Sequence, residues 1–186
     1  NAERVSLQLN NLIGMTTVDN QQLEVRTDTM DLNIAIEEAV RAVCDDIDER
    51  KQFLDIEVES NLPLINADPD AMYHVLTNLL QNAHRCSPDD AHIVLRANTV
   101  QEGQDAYVAV AITDSGGGVA PKDSKKVFNR FYRSDDPEVQ GLGDPDMALA
   151  IVKVLIEAHG GRIWMETTRG IGNTFTTLLP VRNGIK

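Results

Sequence analysis

Tyr107-Val-Ala-Val-Ala-Ile-Thr-Asp-Ser-Gly-Gly-Gly-Val119 is the stretch on which the reading of this chain turns. Tyr107 to Ile112 is an apolar run of strand length, and it ends on a carboxylate, Asp114. The three glycines that follow let the backbone turn sharply and lie close against a ligand. An acid on a glycine turn ends many strands, so this alone fits a simple turn cap as well as a binding site. Upstream, Asn78-Leu-Leu-Gln-Asn-Ala83 carries two amides four residues apart on a helical apolar period, so both project from one face. As helix-surface residues they would mean little. Beside Leu79, Leu80 and Ala83, however, they stand at the edge of a buried face, where a polar side chain needs a partner.

The segments around these two stretches alternate in period. Residues 1–13, with Val5, Leu7, Leu9, Leu12 and Ile13, read as the tail of an amphipathic helix, and Val18 to Met30 as polar and extended or looped. Asp31 caps a helix built on Leu32, Ile34, Ile36, Ala39, Val40 and Val43. Phe53 to Val58 alternates as a strand and Asn61-Leu-Pro63 breaks it. A second helix starts at Asp68-Pro69 and stops at Ser87-Pro88. Ala91 to Asn98 and Asp105 to Thr113 predict strands joined through a polar Gln101-Glu-Gly-Gln104 turn. After an irregular region, Gly116 to Asp146, a third helix spans Met147 to His159 and ends at Gly160-Gly161. Arg162 to Thr167 and Asn173 to Leu179 close the chain as a hairpin. The expected class is α+β, a two-layer sandwich whose mixed sheet carries its helices on one face.

Composition narrows the function. The 186 residues suit one domain with a short appendage, and the formal charge of -12 argues against a nucleic-acid partner, whose phosphates call for Lys and Arg. Cys44 and Cys86 are too few for a disulfide framework and point to a reducing, cytoplasmic setting. No apolar stretch approaches the roughly 20 residues that span a bilayer.

In order and separation, the two amide and glycine stretches resemble the N box and G1 box of the GHKL superfamily, the nucleotide-binding module of bacterial sensor histidine kinases. The resemblance implies the Bergerat version of the sandwich, with ATP and Mg²⁺ as cofactors. It gives Asn82 the role of Mg²⁺ ligand, with Asn78 in support, and a neutral amide oxygen beside phosphate oxygens suits that hard cation. Asp114 takes the place of the acid that accepts a hydrogen bond from the adenine amino group. Gly116 and Gly118 match two glycines that let the base approach the backbone. Val127-Phe-Asn-Arg-Phe-Tyr-Arg133 is similar to the F box, which makes Arg130 and Arg133 phosphate-facing candidates, while packing of Phe128 and Phe131 accounts for its apolar positions. Arg85 keeps the charge of a position usually held by Lys, and Cys86 stands where an aromatic is usual. His74, His84 and His159 read as helix residues rather than ligands.

One box departs from the pattern. The glycines of the Gly-x-Gly-Leu-Gly-Leu G2 box fall on Asp144, Asp146 and Ala148, and its last Leu on Leu149. Pro145 removes a backbone donor, and each carboxylate at about 4 Å from a phosphate costs about 4 kcal/mol at an effective dielectric near 20. Gly141-Leu-Gly143 would have to replace the lost glycines in a shifted register.

The resemblance implies a histidine kinase catalytic domain over residues 21–186, preceded at 1–20 by the end of a dimerisation and phosphoacceptor helix and its linker. Its partners would be that helical domain, a second subunit in the full-length protein, and a response regulator; the full-length protein can be membrane-anchored. No histidine lies in an early helix, so the fragment lacks the phosphoacceptor. A hydrolysing ATPase of this superfamily would need Glu where Asn78 stands, and an anti-sigma-factor serine kinase usually lacks a helical lead-in like residues 1–13. The alternative within the fold is a nucleotide-poor pseudokinase kept as an interaction module.

Overall fold

The computed structural model describes residues 25–119, 124–129 and 148–181. The appendage expected at 1–20 lies outside them, as do Arg130, Phe131, Arg133 and the loop from Gly141 to Asp146.

The elements run β1 (Asp28–Met30), α1 (Leu32–Glu49), β2 (Phe53–Val58), β3 (Ile65–Ala67), α2 (Pro69–Cys86), β4 (His92–Glu102) and β5 (Asp105–Thr113). A short 3₁₀ turn (Lys126–Phe128), α3 (Ala148–Ala158), β6 (Arg162–Thr168) and β7 (Gly172–Pro180) follow. Five strands form one sheet in the order β2-β4-β5-β7-β6, with β2 parallel to β4 and every other pair antiparallel. The sheet is mixed because the crossover through β3 and α2 returns the chain in the direction of β2.

Alternation decides which face is covered. Ile93, Leu95 and Ala97 on β4, Val108, Val110 and Ile112 on β5, and Phe175 on β7 are buried, and they pack with Val43 of α1, Leu79 of α2 and Leu155 of α3. The opposite face of the sheet carries exposed pairs such as Arg96–Glu57 and His92–Asp55. This is the predicted two-layer arrangement, helices on one face and polar residues on the other.

Local chemistry sets the helix ends. The Asp31 carboxylate accepts from Asn33 N–H at 3.0 Å. Asp68 accepts from the N–H groups of Asp70 and Ala71, with Pro69 in the first turn. At the other end of α2, buried Gln52 donates its amide to the carbonyls of His84, Ser87 and Pro88 at 2.9–3.1 Å. The His84 carbonyl is one that a helix end leaves without an intrahelical donor. Gln52 Oε1 accepts from His84 Nδ1 at 2.7 Å, while burial, and after it Arg50, lowers the His84 pKa.

Two features differ from the expectation. β4 runs on through Glu102, so the hairpin turn is only Gly103-Gln104, with Gly103 at φ +63°. The extra rungs are polar because they are exposed to solvent. β1 and β3 form a separate antiparallel ribbon that local periodicity misses, each strand being three residues long and its central pair, Thr29 and Asn66, 37 residues apart. His159 is also more than a helix terminus. Its Nδ1–H donates to Leu155 O at 2.7 Å, which leaves Nε2 to accept the Asp68 N–H at 3.0 Å. The C-terminal end of α3 is thereby bonded to the N-cap of α2.

Candidate functional site

β5 delivers Asp114 to the end of the sheet, where the carboxylate is 2% exposed. Oδ1 accepts from Gly116 N–H (2.9 Å), Asn173 N–H (3.0 Å) and Asn173 Nδ2 (3.2 Å). Oδ2 shares the Asn173 Nδ2 donor at 3.2 Å and keeps lone-pair capacity. Burial raises the Asp114 pKa, and the donors from Asn173 and Gly116 work against that shift.

The glycine turn is bracketed by protein on both sides. A Cβ at Gly116 would come within 2.7 Å of the Cys86 carbonyl oxygen, and one at Gly118, where φ is +66°, within 2.4 Å of Thr168 O. These glycines therefore answer first to the chain's own backbone, a tighter demand than the approach of a base. The β6–β7 hairpin clamps the same segment. Thr167 Oγ1 accepts from Val119 N–H at 2.9 Å and lies 3.1 Å from Val119 O, and Gly170 N–H donates to Gly117 O at 2.7 Å. On the other side, Ser115 N–H donates to Ser87 Oγ at 3.1 Å, joining the turn to the end of α2.

Asn82 lies on α2 one turn before Cys86 and is 0% exposed. Neither Oδ1 nor Nδ2 has a hydrogen-bond partner among the described residues. A buried amide left like this costs about 1–3 kcal/mol per group. Asn78, one turn earlier, is half-buried on the same side of the helix, and Arg85 is half-buried near its end. Burial and the nearby Asp114 push the Cys86 thiol well above its ordinary range, and Cys86 packs against the core.

The structure thus brings Asp114, Gly116 and Gly118 together and joins their turn to the helix of Asn78, Asn82 and Arg85. Leu149 stands in the first turn of α3 with its side chain in the core, 4% exposed. Arg130, Arg133, Gly141 and Gly143 lie outside the described residues. Sequence reasoning missed Asn173, Gly172 and Thr167. Asn173 shares the inward phase of Phe175, Thr177 and Leu179, so a polar residue in a core-facing position was the available signal. At Gly172 a Cβ would lie 2.0 Å from Asp114 O.

Comparison with known proteins adds a family. Residues 67–183 match the family described as histidine kinase-, DNA gyrase B-, and HSP90-like ATPase. Sensor histidine kinase WalK of Bacillus subtilis (strain 168) is 31% identical over 184 residues, 97% of this chain and 29% of that protein. The non-motile and phage-resistance protein of Caulobacter vibrioides is 30% identical over 94% of this chain and 21% of its own length. Among solved structures, the mycobacterial sensor histidine kinase MprB superposes with a TM-score of 0.67 at 25% identity, covering 83% of this chain and 97% of that one. Full-length ShkA in complex with AMPPNP gives 0.76 at 23% identity over 96% of this chain and 36% of its own, a likeness of fold. The chain spans less than a third of the length of these curated relatives.

Proposed function

The chain belongs to the histidine kinase-, DNA gyrase B- and HSP90-like ATPase family, as a sensor histidine kinase ATP-binding domain, and from that premise we propose that it binds Mg-ATP at the Asp114–Asn82 site. The observation that carries the reading is the unpartnered, fully buried amide of Asn82. A protein that had no ligand for this position would do better with an apolar side chain there. An amide oxygen is a hard donor that suits Mg²⁺, which takes its remaining ligands from water and phosphate. That a related fold is named as a complex with AMPPNP agrees with the same assignment.

In this reading Asp114 Oδ2 accepts a hydrogen bond from the adenine amino group. Asn82, supported by Asn78, holds Mg²⁺, which when bound offsets charge on the phosphate oxygens. Arg85, Arg130 and Arg133 offer cations to the phosphates, and Gly141 and Gly143 offer backbone N–H groups. The γ-phosphoryl group would go to a histidine on the helical domain of the full-length protein, a homodimer, and from there to a response regulator. Residues 1–20 would be the end of that helical domain and its linker.

Calorimetric titration with ATP, ADP and adenosine, each with and without Mg²⁺, tests the reading. Binding of ATP that strengthens with Mg²⁺ is expected. Asp144-Pro-Asp146, in place of G2 glycines, favours a second reading in which the phosphate end is weakened and the domain serves as a pseudokinase. ATP and adenosine binding equally, with no Mg²⁺ effect, would establish that alternative.

A further inference from the structure

β2 is an edge strand with unused backbone. Phe53 N–H donates to Ala91 O and Glu59 N–H to Ala97 O, both at 2.8 Å, so the odd-numbered residues of β2 turn their backbone groups toward β4. Backbone groups alternate sides along a strand, so Leu54, Ile56 and Val58 turn theirs outward. Among the described residues nothing pairs with that edge. The same three residues send their side chains toward the helical layer, and there the sheet and α1 do not close. A groove of about 530 Å³ remains, lined by Ile36, Val40, Cys44, Ile56 and Val58 and, along α1, by polar and charged side chains including Glu37. Ile56 is 47% exposed within it. An open ladder beside an apolar trough is the arrangement in which an extended peptide adds a strand and lays alternate side chains against a helix.

The outer face of β2 restricts the occupant. It carries Asp55 and Glu57, each about half exposed, and Glu59 follows. Arg96 partners Glu57, and the His92 imidazole stands against Asp55, leaving this face net acidic in a chain of charge -12. A second copy pairing its own β2 antiparallel over the whole strand would set Asp55 opposite Glu57, a like-charge pairing that destabilises. We infer that the β2 edge receives an extended segment of a partner protein, with apolar residues at alternate positions facing α1 and Lys or Arg between them facing Asp55 and Glu57.

The probe is a fluorescent hexapeptide alternating lysine with valine, followed by anisotropy on the 186-residue chain. Saturable binding is expected, weakening with salt. Ile56→Pro deletes an outward N–H, which an edge strand tolerates, together with one apolar side chain of the groove, so it should keep the fold by circular dichroism while lowering affinity about tenfold or more. Asp55→Lys with Glu57→Lys should weaken the lysine peptide about fivefold and turn the preference toward a glutamate–valine peptide. The Ile56 amide should exchange with solvent quickly in the free chain and slowly with peptide bound. Slow exchange in the free chain would overturn the proposal by showing the edge already covered. So would a concentration-dependent dimer that Ile56→Pro abolishes, or equal binding of the lysine and glutamate peptides.

Discussion

Asp114 and Asn82 are both buried polar side chains at the same end of the molecule, yet they are treated in opposite ways. Asp114 is held by the Gly116 N–H and by two donors of Asn173. Asn82 has no partner among the described residues. The first is anchored within the protein and forms part of the fold, with Oδ2 keeping capacity for one more donor. The second is a standing cost that a ligand would relieve. The two ends of one site therefore report different things when perturbed: stability and base recognition move together at Asp114, and they separate at Asn82.

The hardest break is Gly172→Ala. Its Cβ would collide with the Asp114 carbonyl, 2.0 Å away, so the β5–β7 junction must open. A loss of about 3–4 kcal/mol in denaturant unfolding is expected, with adenosine binding lost alongside. Next is Asp114→Ala, which strips acceptors from Gly116 and Asn173. It should cost about 1–3 kcal/mol in stability and a similar amount in adenine affinity, read by unfolding and by calorimetry with ATP against GTP. Full stability in that variant would erase the contrast with Asn82.

Asn82→Leu sharpens the comparison from the other side. Removing an unsatisfied amide for an apolar residue should leave stability unchanged or raise it by about 1 kcal/mol. The strengthening of ATP binding by Mg²⁺ should disappear while adenosine binds as before. A destabilised Asn82→Leu protein would mean that the amide has a structural partner after all.

The smallest effect is in pH. The folded-state pKa of Asp114 is raised, so the folded chain takes up the proton more readily than the unfolded chain. Its contribution to stability is present below the ordinary Asp value of about 3.9 and is lost as pH rises through the raised value. Adenosine affinity should run the other way, falling as pH drops through that window because a protonated carboxyl gives up an acceptor. Titrations of wild type and Asn82→Leu between pH 4 and 7 should show the same decline of a few fold, since the change belongs to Asp114 alone.

The elements built on long periods were legible in the sequence. α1 and α2 begin at Asp31 and Asp68, as the caps require, and β5 and the β6–β7 hairpin follow alternation. What escaped was non-local. β1 and β3 are too short to show a period and exist only through each other. Asn173 reads as the start of an ordinary strand until β7 is laid against β5 and Thr174 comes opposite Thr113. Gly116 and Gly118 were legible as necessary, but the neighbours that make them so, Cys86 O and Thr168 O, come from remote segments. Gln52 looks like a polar loop residue, and its role at the end of α2 depends on a contact about 32 residues away.

The bond between His159 and Asp68 has a mechanical consequence. Asn82 lies fourteen residues beyond Asp68 along α2, about 21 Å at helical rise, and Ala148 lies eleven residues before His159, about 16 Å away along α3. The two helices are thus tied at one end, and α2 is held again at its other end by Gln52 and Ser115. A slide of α3 by one turn, about 5.4 Å, would tear a 3.0 Å contact apart, whereas a tilt about the pivot strains it little. A load applied at the start of α3 should therefore reach α2 as a tilt about Asp68, resisted at the far end by the bonds of Gln52 and Ser115.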